Sequence, residues 1–527
     1  MHKFFSSLIG ILTATASGLT LQASDTAPKL VIGIHIDQLK GEYLEWFMNG
    51  FGDNGFKKMI QSGTSCKTLL YDYPNPDEAS ACASFVTGCP PRQHGIISGH
   101  WFDRKTGTIK SCVFDPEYLG NYTQETVSPK NLQTSTLGDE LKAASNGKSK
   151  VFSIGISAEE SIILGGHAAD GVYWIDGNTG KWCTSTYYNY MPGWIQSLND
   201  QNDMSQLVEQ TAWQPLRPLS FYQYMPYQDS PTLFQYLLNK YGKDKIRMYK
   251  ETPMVNSEVR KLAVQTIEKE KLGSDNISDF LVLEMTASSK LESSKTISAL
   301  EIQDIYFRLD QEIDSLLTNV DKLVGLDNTV IYIAGSGSTV YPVTEISKER
   351  TYGGDFYPER CTSLLNLYLM AIYGNEKWVS GWHDQQIFLN RKLIEEKKIN
   401  YEEFSLKAAE FLTEFSGVES VIRYKNFQLG EFNTSLNQTA NGVYAEHSGD
   451  LFLKIKSGWN IREDASSKDQ QVRSEAYNSP FILYGANVAA QLISTPVHSE
   501  DITSTLSKVF RIRPPNACKG HILPELN

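Results

Sequence analysis

Acidic and hydroxyl side chains stand where the apolar runs of this chain stop. Asp37 ends "KLVIGIHID", Ser157 ends "KVFSIGIS", Thr286 ends "DFLVLEMT" and Ser336 ends "NTVIYIAGS". Glu78 sits in "YPNPDEASACASFVTG", a Pro-containing loop that runs into the first turns of a helix. A carboxylate can attack as a nucleophile, and carboxylates with hydroxyls can hold a hard cation. Softer ligands are scarce. No CxxC or Cys/His cluster has zinc-finger spacing, and no His occurs between His167 and His383.

The elements that must position these groups follow from hydrophobic patterning. Continuous apolar runs predict buried strands at Lys29–Lys40, Lys150–Ser157, Asp279–Thr286, Asn328–Ser336 and Pro480–Gly485. Ile302, Ile305, Leu309, Ile313, Leu316, Val320 and Leu323 recur at helical spacing and predict a long amphipathic helix over Ala299–Val324. "TLGDELKAAS" reads as another helix, and "SEDITSTLSKVF" as a last one with Ser499 as its N-cap. Strands alternating with helices predict an α/β class, a three-layer sandwich with a largely parallel central sheet. Binding in such folds lies outside the carboxyl ends of the strands. Two regions break the alternation, at about 175–275 and 345–470, and are expected to be cap or crown insertions.

Bulk properties narrow the class. The 527 residues carry a formal charge of −12, which disfavours nucleic acid as a partner. "MHKFFSSLIGILTATASGLTLQAS" has a basic start, a short apolar run and small residues before Ala23. It predicts a signal peptide over 1–23, a mature chain over 24–527 with no transmembrane segment, and a periplasmic or secreted location. Seven cysteines follow it, and Cys66, Cys82, Cys89 and Cys112 are the expected disulfide partners in an oxidising compartment.

Eight stretches in order resemble the alkaline phosphatase superfamily, in its periplasmic, phosphate-irrepressible (PafA-like) bacterial branch. Among them are "IGIHIDQLKGEYL", "ASFVTGCPPRQHGIISGHWFDRKTG", "SGDLFLKIKSGW" and "PPNACKGHILPEL". The resemblance implies an alkaline-phosphatase-like fold over the mature chain, two zinc ions at the strand ends and a Thr or Ser nucleophile. It also implies where those groups should fall. Asp37 is retained. Glu78 stands at the nucleophile, and His100 at a phosphate-holding Asn. Glu159 and Ser161 stand at a Lys-x-Arg pair. Ser289 and Ser293 stand at an Asp-x-x-x-His pair, Ser336 and Gly337 at an Asp-His pair, and Asp469 at the final His.

These substitutions predict that no catalytic residue and no zinc site survive. No cofactor is expected beyond a possible Ca²⁺ or Mg²⁺ on Asp37, Glu78, Asp469 and the serine oxygens. The reading that results is an exported pseudoenzyme, acting as a binding or scaffold protein with an envelope protein partner. Two alternatives stand beside it: a phosphate or sulfate ester hydrolase with a rearranged metal site, and a Ca/Mg-dependent binding module. Lys290, Lys295 and Arg104 are the cations expected near the cleft. His94, His167, Trp101, Trp174, Trp182 and Trp194 are expected to be packing residues.

Overall fold

The computed structural model describes residues 27–524 apart from 75, 189–190, 202–203, 223–232, 290, 292–298, 337–353, 429–433, 457–458, 463–469 and 472–478. Its centre is an eleven-stranded sheet. In chain order the strands are β1 (Leu30–Asp37), β2 (Thr64–Leu70), β3 (Gly120–Asn121), β4 (Val151–Ile154), β5 (Gly171–Ile175), β6 (Trp182–Ser185), β7 (Asp279–Thr286), β8 (Thr329–Ser336), β9 (Ser479–Gly485), β10 (Gln491–Ile493) and β11 (Val497–His498). They lie in the order β10-β2-β9-β8-β1-β7-β4-β5-β6-β3, with β11 beside β2. The middle strands β8, β1, β7, β4 and β5 run parallel, while β9 is antiparallel to both its neighbours.

Alternation along the central strands explains the layers, because successive side chains point to opposite faces. Ile32, Ile34 and Ile36 of β1 join Leu281, Leu283 and Met285 of β7 in one core. Two helices cover that face: α4 (Val255–Lys269) and the long α5 (Ala299–Leu323). On the other face Val31, Phe280, Val282, Tyr332 and Ala334 make a second core. There α1 (Glu78–Thr87), α2 (Leu137–Ala144), α3 (Ala158–Gly165) and α6 (Ser499–Phe510) pack. Gly33 lets the Tyr332 ring lie across β1, since a Cβ there would come within 2.8 Å of Tyr332 Cε1. The result is the expected three-layer α/β sandwich with a mostly parallel sheet. The last helix starts at Ser499 but is preceded by His498 as N-cap, without a side-chain capping bond.

Residues between Trp182 and Ile267 pack on the first core through Trp182, Ile195, Trp213 and Leu262. Residues 354–462 contribute a separate core around Trp378, Phe404 and Leu451. It includes a four-stranded antiparallel sheet, Val379–His383, Gln386–Leu389, Leu451–Ile455 and Val418–Arg423 in spatial order. No helix of the described residues is long and apolar enough to cross a membrane.

Candidate functional site

The carboxyl ends of β1, β7 and β8 lie side by side, with Asp37 in register with both Thr286 and Ser336. By alternation Asp37, Ser336, Thr286 and Glu284 share one face of the sheet, the face covered by α1 and α3. Glu284 lies in β7, in register with His35, and is buried. Its Oε2 accepts from the amides of Ile156 (2.5 Å) and Ser157 (3.1 Å), in the turn between β4 and α3. Gly155 makes that approach possible. A Cβ there would overlap both the Glu284 carboxylate and Ser161 Oγ.

Two helix starts aim further acids at this spot. Asp77 caps α1 in a reciprocal capping box with Ser80, which sets Glu78 in the first turn. Glu159 and Glu160 occupy the first turn of α3. Acidic residues are stabilised there by the helix dipole, which accounts for part of their placement without any function. The outcome is a cluster: Glu78, Glu160 and Glu284 each bring an oxygen within 4.8 Å of the others. Among the described residues no other three His, Cys, Asp or Glu side chains come together in this way.

Titration directions report the same crowding. Burial, then Glu284 and Glu159, push the Glu160 carboxyl well above the usual range. Burial pushes Glu284 up to about 7, against the pull of its two amide bonds and of Lys250. Cys82, one turn along α1 from Glu78, is fully buried. Its thiol is pushed well up by burial and then by Glu78, Glu160, Glu284 and Asp37.

Other expected site residues are occupied differently. Glu159 accepts from Ser111 Oγ (2.7 Å) and faces the exposed His100 across 3.6 Å. Ser161 Oγ donates to Ser157 O at 2.6 Å, within its own helix. Ser289 Oγ donates to Glu251 O at 2.7 Å. Ser336 is 1% exposed, and its Oγ has no hydrogen-bond partner among the described residues. Ser293, Gly337, Asp469, Lys290 and Lys295 lie outside the described residues.

Two expectations are corrected. Arg104 does not serve the cleft. Its guanidinium donates to Asp450 Oδ2 (2.9 Å) and Ser448 O, in a knot where the buried Asp450 also accepts from Arg391, Tyr401 and the Leu389 amide. The cysteines form no disulfide; all seven are thiols. The four expected partners are all buried, with Cys66 Sγ donating to Thr68 O and Cys89 Sγ to Thr87 Oγ1.

The histidines and tryptophans pack as expected. His94 lies buried between Ser84 Oγ and the Ile96 amide, and burial holds it down to about 3. His167 pairs with Asp139 behind α2. Trp101 stacks on His447, and the Trp174 and Trp194 indoles donate to Glu125 and Glu270.

Patterning along the chain did not single out Glu160 and Glu284. Glu284 carried a readable signal, being the only charged side chain inside "FLVLEMT" and on the same face as Thr286.

Comparison with known proteins fits this fold. Alkaline phosphatase PhoV of Synechococcus elongatus is 28% identical over 517 residues, covering 95% of this chain and 93% of that protein. Alkaline phosphatase PafA of Elizabethkingia meningoseptica is 26% identical, with 98% of each chain covered. The crystal structure of wild-type alkaline phosphatase PafA superposes with a TM-score of 0.83 at 25% identity, over 95% of this chain and 99% of that one. The type I phosphodiesterase / nucleotide pyrophosphatase family model matches residues 31–478. With that match and those relatives, the chain belongs to the type I phosphodiesterase / nucleotide pyrophosphatase family, within the alkaline phosphatase superfamily.

Proposed function

We propose that this chain is an ester hydrolase of its family, acting on phosphate or sulfate esters, with a metal site rebuilt from carboxylates alone. Family membership over nearly the whole chain supports the hydrolase class. The Glu78–Glu160–Glu284 cluster, in the strand-end pocket beside Asp37, supports the rebuilt site and is the observation that carries the reading. The residues present do not fit the family's zinc pair. Serines stand at 289 and 336, and no imidazole joins the cluster among the described residues. Glu78, not a Ser or Thr, heads α1, so attack at that position would come from the carboxylate or from a water and not from a Ser or Thr hydroxyl. The sequence-predicted leader would take the protein to the periplasm or outside the cell.

One observation favours a second reading, a non-catalytic envelope protein that works by binding a protein partner. Glu159 and Ser161 stand where the resemblance places two phosphate-holding cations. A phosphate dianion about 4 Å from one uncompensated carboxylate is repelled by roughly 8 kcal/mol at an effective dielectric near 20. A turnover panel separates the readings: p-nitrophenyl phosphate, bis-p-nitrophenyl phosphate and p-nitrophenyl sulfate, each with chelator, Mg²⁺, Mn²⁺, Ca²⁺ or Zn²⁺. Turnover of one ester that depends on a hard cation and is lost in Glu78→Gln supports the hydrolase. No turnover under any condition supports the binding protein.

A further inference from the structure

Two thiols from opposite ends of the chain are brought side by side by the backbone. We propose that Cys89, just beyond the pocket helix α1, and Cys518, on the C-terminal segment, are an oxidisable pair that closes one disulfide on meeting a disulfide-bearing oxidant. The thiol form described above is the reduced member of this couple. The proposal does not rest on the hydrolase reading.

Backbone geometry is the first argument. The amide of Lys519, just after Cys518, donates to the carbonyl of Gly88, just before Cys89, at 3.2 Å. That bond is one of the two that flank a non-hydrogen-bonded antiparallel pair, here Cys89 and Cys518. The second would need an amide on residue 90, which is proline and has none. Residues opposed in this way have Cα atoms about 4.5 Å apart, inside the range of about 4.4–6.8 Å that a disulfide spans.

Side-chain placement is the second argument. Cys518 Sγ fills the space beside Gly88, where a Cβ would collide with it. Gly88 is the C-cap of α1 at φ +67°, so glycine is required there on both counts, and the turn it makes leads directly into Cys89. In the thiol form each sulfur is turned to a hydroxyl, Cys89 Sγ to Thr87 Oγ1 at 3.4 Å and Cys518 Sγ to Ser504 Oγ at 3.3 Å. These are weak bonds, and closing the disulfide gives them up through rotation about χ1 on each side. Cys518 alone of the seven keeps partial exposure, so it is the thiol an oxidant reaches first.

The chemistry balances within the pair and its oxidant. The Cys518 thiolate attacks the oxidant's disulfide and releases one thiol. The Cys89 thiolate then attacks Cys518 Sγ in the mixed disulfide and releases the second. The pair loses two electrons, its two protons pass to the released thiols, and the oxidant's disulfide is reduced. Burial pushes the Cys89 thiol up to about 11, against the Thr87 and Thr134 hydroxyls, and burial also raises Cys518. Thiolate is therefore scarce once the segment is docked, which sets the exchange during folding.

The bond would fasten the chain end to the pocket scaffold. The C-terminal segment lies along α6, where Ser504 Oγ donates to Gly520 O (2.7 Å) and the Leu523 amide to Thr505 Oγ1 (3.0 Å). Thr503 Oγ1 of α6 donates in turn to Phe85 O of α1. A Cys89–Cys518 link locks these elements onto the helix that carries Glu78 and closes a loop over most of the chain.

The test is peptide mapping of the mature chain, collected after export into an oxidising compartment with an alkylating agent present and digested without reductant. The expected result is a linked peptide joining Cys89 to Cys518, with five thiols alkylated after unfolding, the seven less this pair. Cys89→Ser, Cys518→Ser and the double variant should share one lowering of the unfolding midpoint, by roughly 2–4 °C. Reductant should bring the wild type to that value and leave the variants where they are. The proposal is overturned if both residues are recovered as alkylated thiols, if either is joined to another cysteine, or if the two single losses add in the double variant.

Discussion

Gly155→Ala tests whether the turn between β4 and α3 sets the position of Glu284. The added Cβ would overlap the Glu284 carboxylate and Ser161 Oγ and lie 3.0 Å from Glu284 Cβ. Neither overlapped group can yield cheaply. Glu284 Oε2 is bonded to the two amides that follow Gly155, and Ser161 Oγ is bonded to Ser157 O at 2.6 Å. Overpacking a closed core of this kind costs about 1–3 kcal/mol. Driving the carboxylate off its amides adds about 1.5–3 kcal/mol for a hydrogen bond to a charged group. Gly155→Ala should therefore lose roughly 2.5–6 kcal/mol, read from urea unfolding in chelator with the m-value unchanged. In a Ser161→Ala, Glu284→Ala background the two overlapped oxygens are gone and only the 3.0 Å contact with the residue 284 Cβ remains, so the same substitution should cost under about 1 kcal/mol. A loss below about 0.5 kcal/mol in the wild-type background, or an equal loss in both, would refute the reasoning.

Three further outcomes are expected. Glu78→Thr alone should give no p-nitrophenyl phosphate turnover with zinc, because Glu160, Glu284 and Glu159 still line the pocket; measurable turnover would show that the rest of the site is less altered than it looks. Arg104→Ala leaves the Asp450 carboxylate, 0% exposed, with Arg391 as its remaining cation and should cost about 1.5–3 kcal/mol; hydrogen exchange should speed up first in Gln386–Leu389 and Leu451–Ile455, and unchanged protection there would contradict it. For His167, burial acts to lower the pKa, but the hydrogen bond and charge of Asp139 outweigh it and raise it. Its stabilisation is thus present in full below the unfolded value near 6.5 and is lost as pH rises through the higher folded value. The stability gap between wild type and Asp139→Asn should narrow on that rise, and a gap that widens in urea titrations would reverse the sign.

Hydrophobic patterning placed the scaffold because the central strands are buried on both faces. Predicted strands at 279–286 and 328–336 and the helix from 299 coincide with β7, β8 and α5 to within a residue or two. Asp37 was legible for the same reason, as the polar residue that stops an apolar run. The cluster was less legible. Resemblance directs attention to positions 159 and 161, whereas the helix turns the residue between them, Glu160, toward β7. Arg104 was misplaced because its partner Asp450 lies 346 residues away, a pairing that no local pattern encodes. The disulfide expectation rested on compartment alone, and spacing along the chain does not reveal whether two sulfurs meet at bonding distance; in this structure all seven are thiols.

The central claim is that carboxylates have replaced a zinc site in a phosphatase-type pocket. It is tested most directly by metal analysis of the mature protein, purified without chelator and equilibrated against equal trace zinc and calcium. Plasma mass spectrometry should find negligible zinc, with a hard cation such as calcium or magnesium as the metal retained. About two zinc ions per chain, retained through gel filtration, would contradict the account and place the ligands among side chains other than Glu78, Glu160 and Glu284.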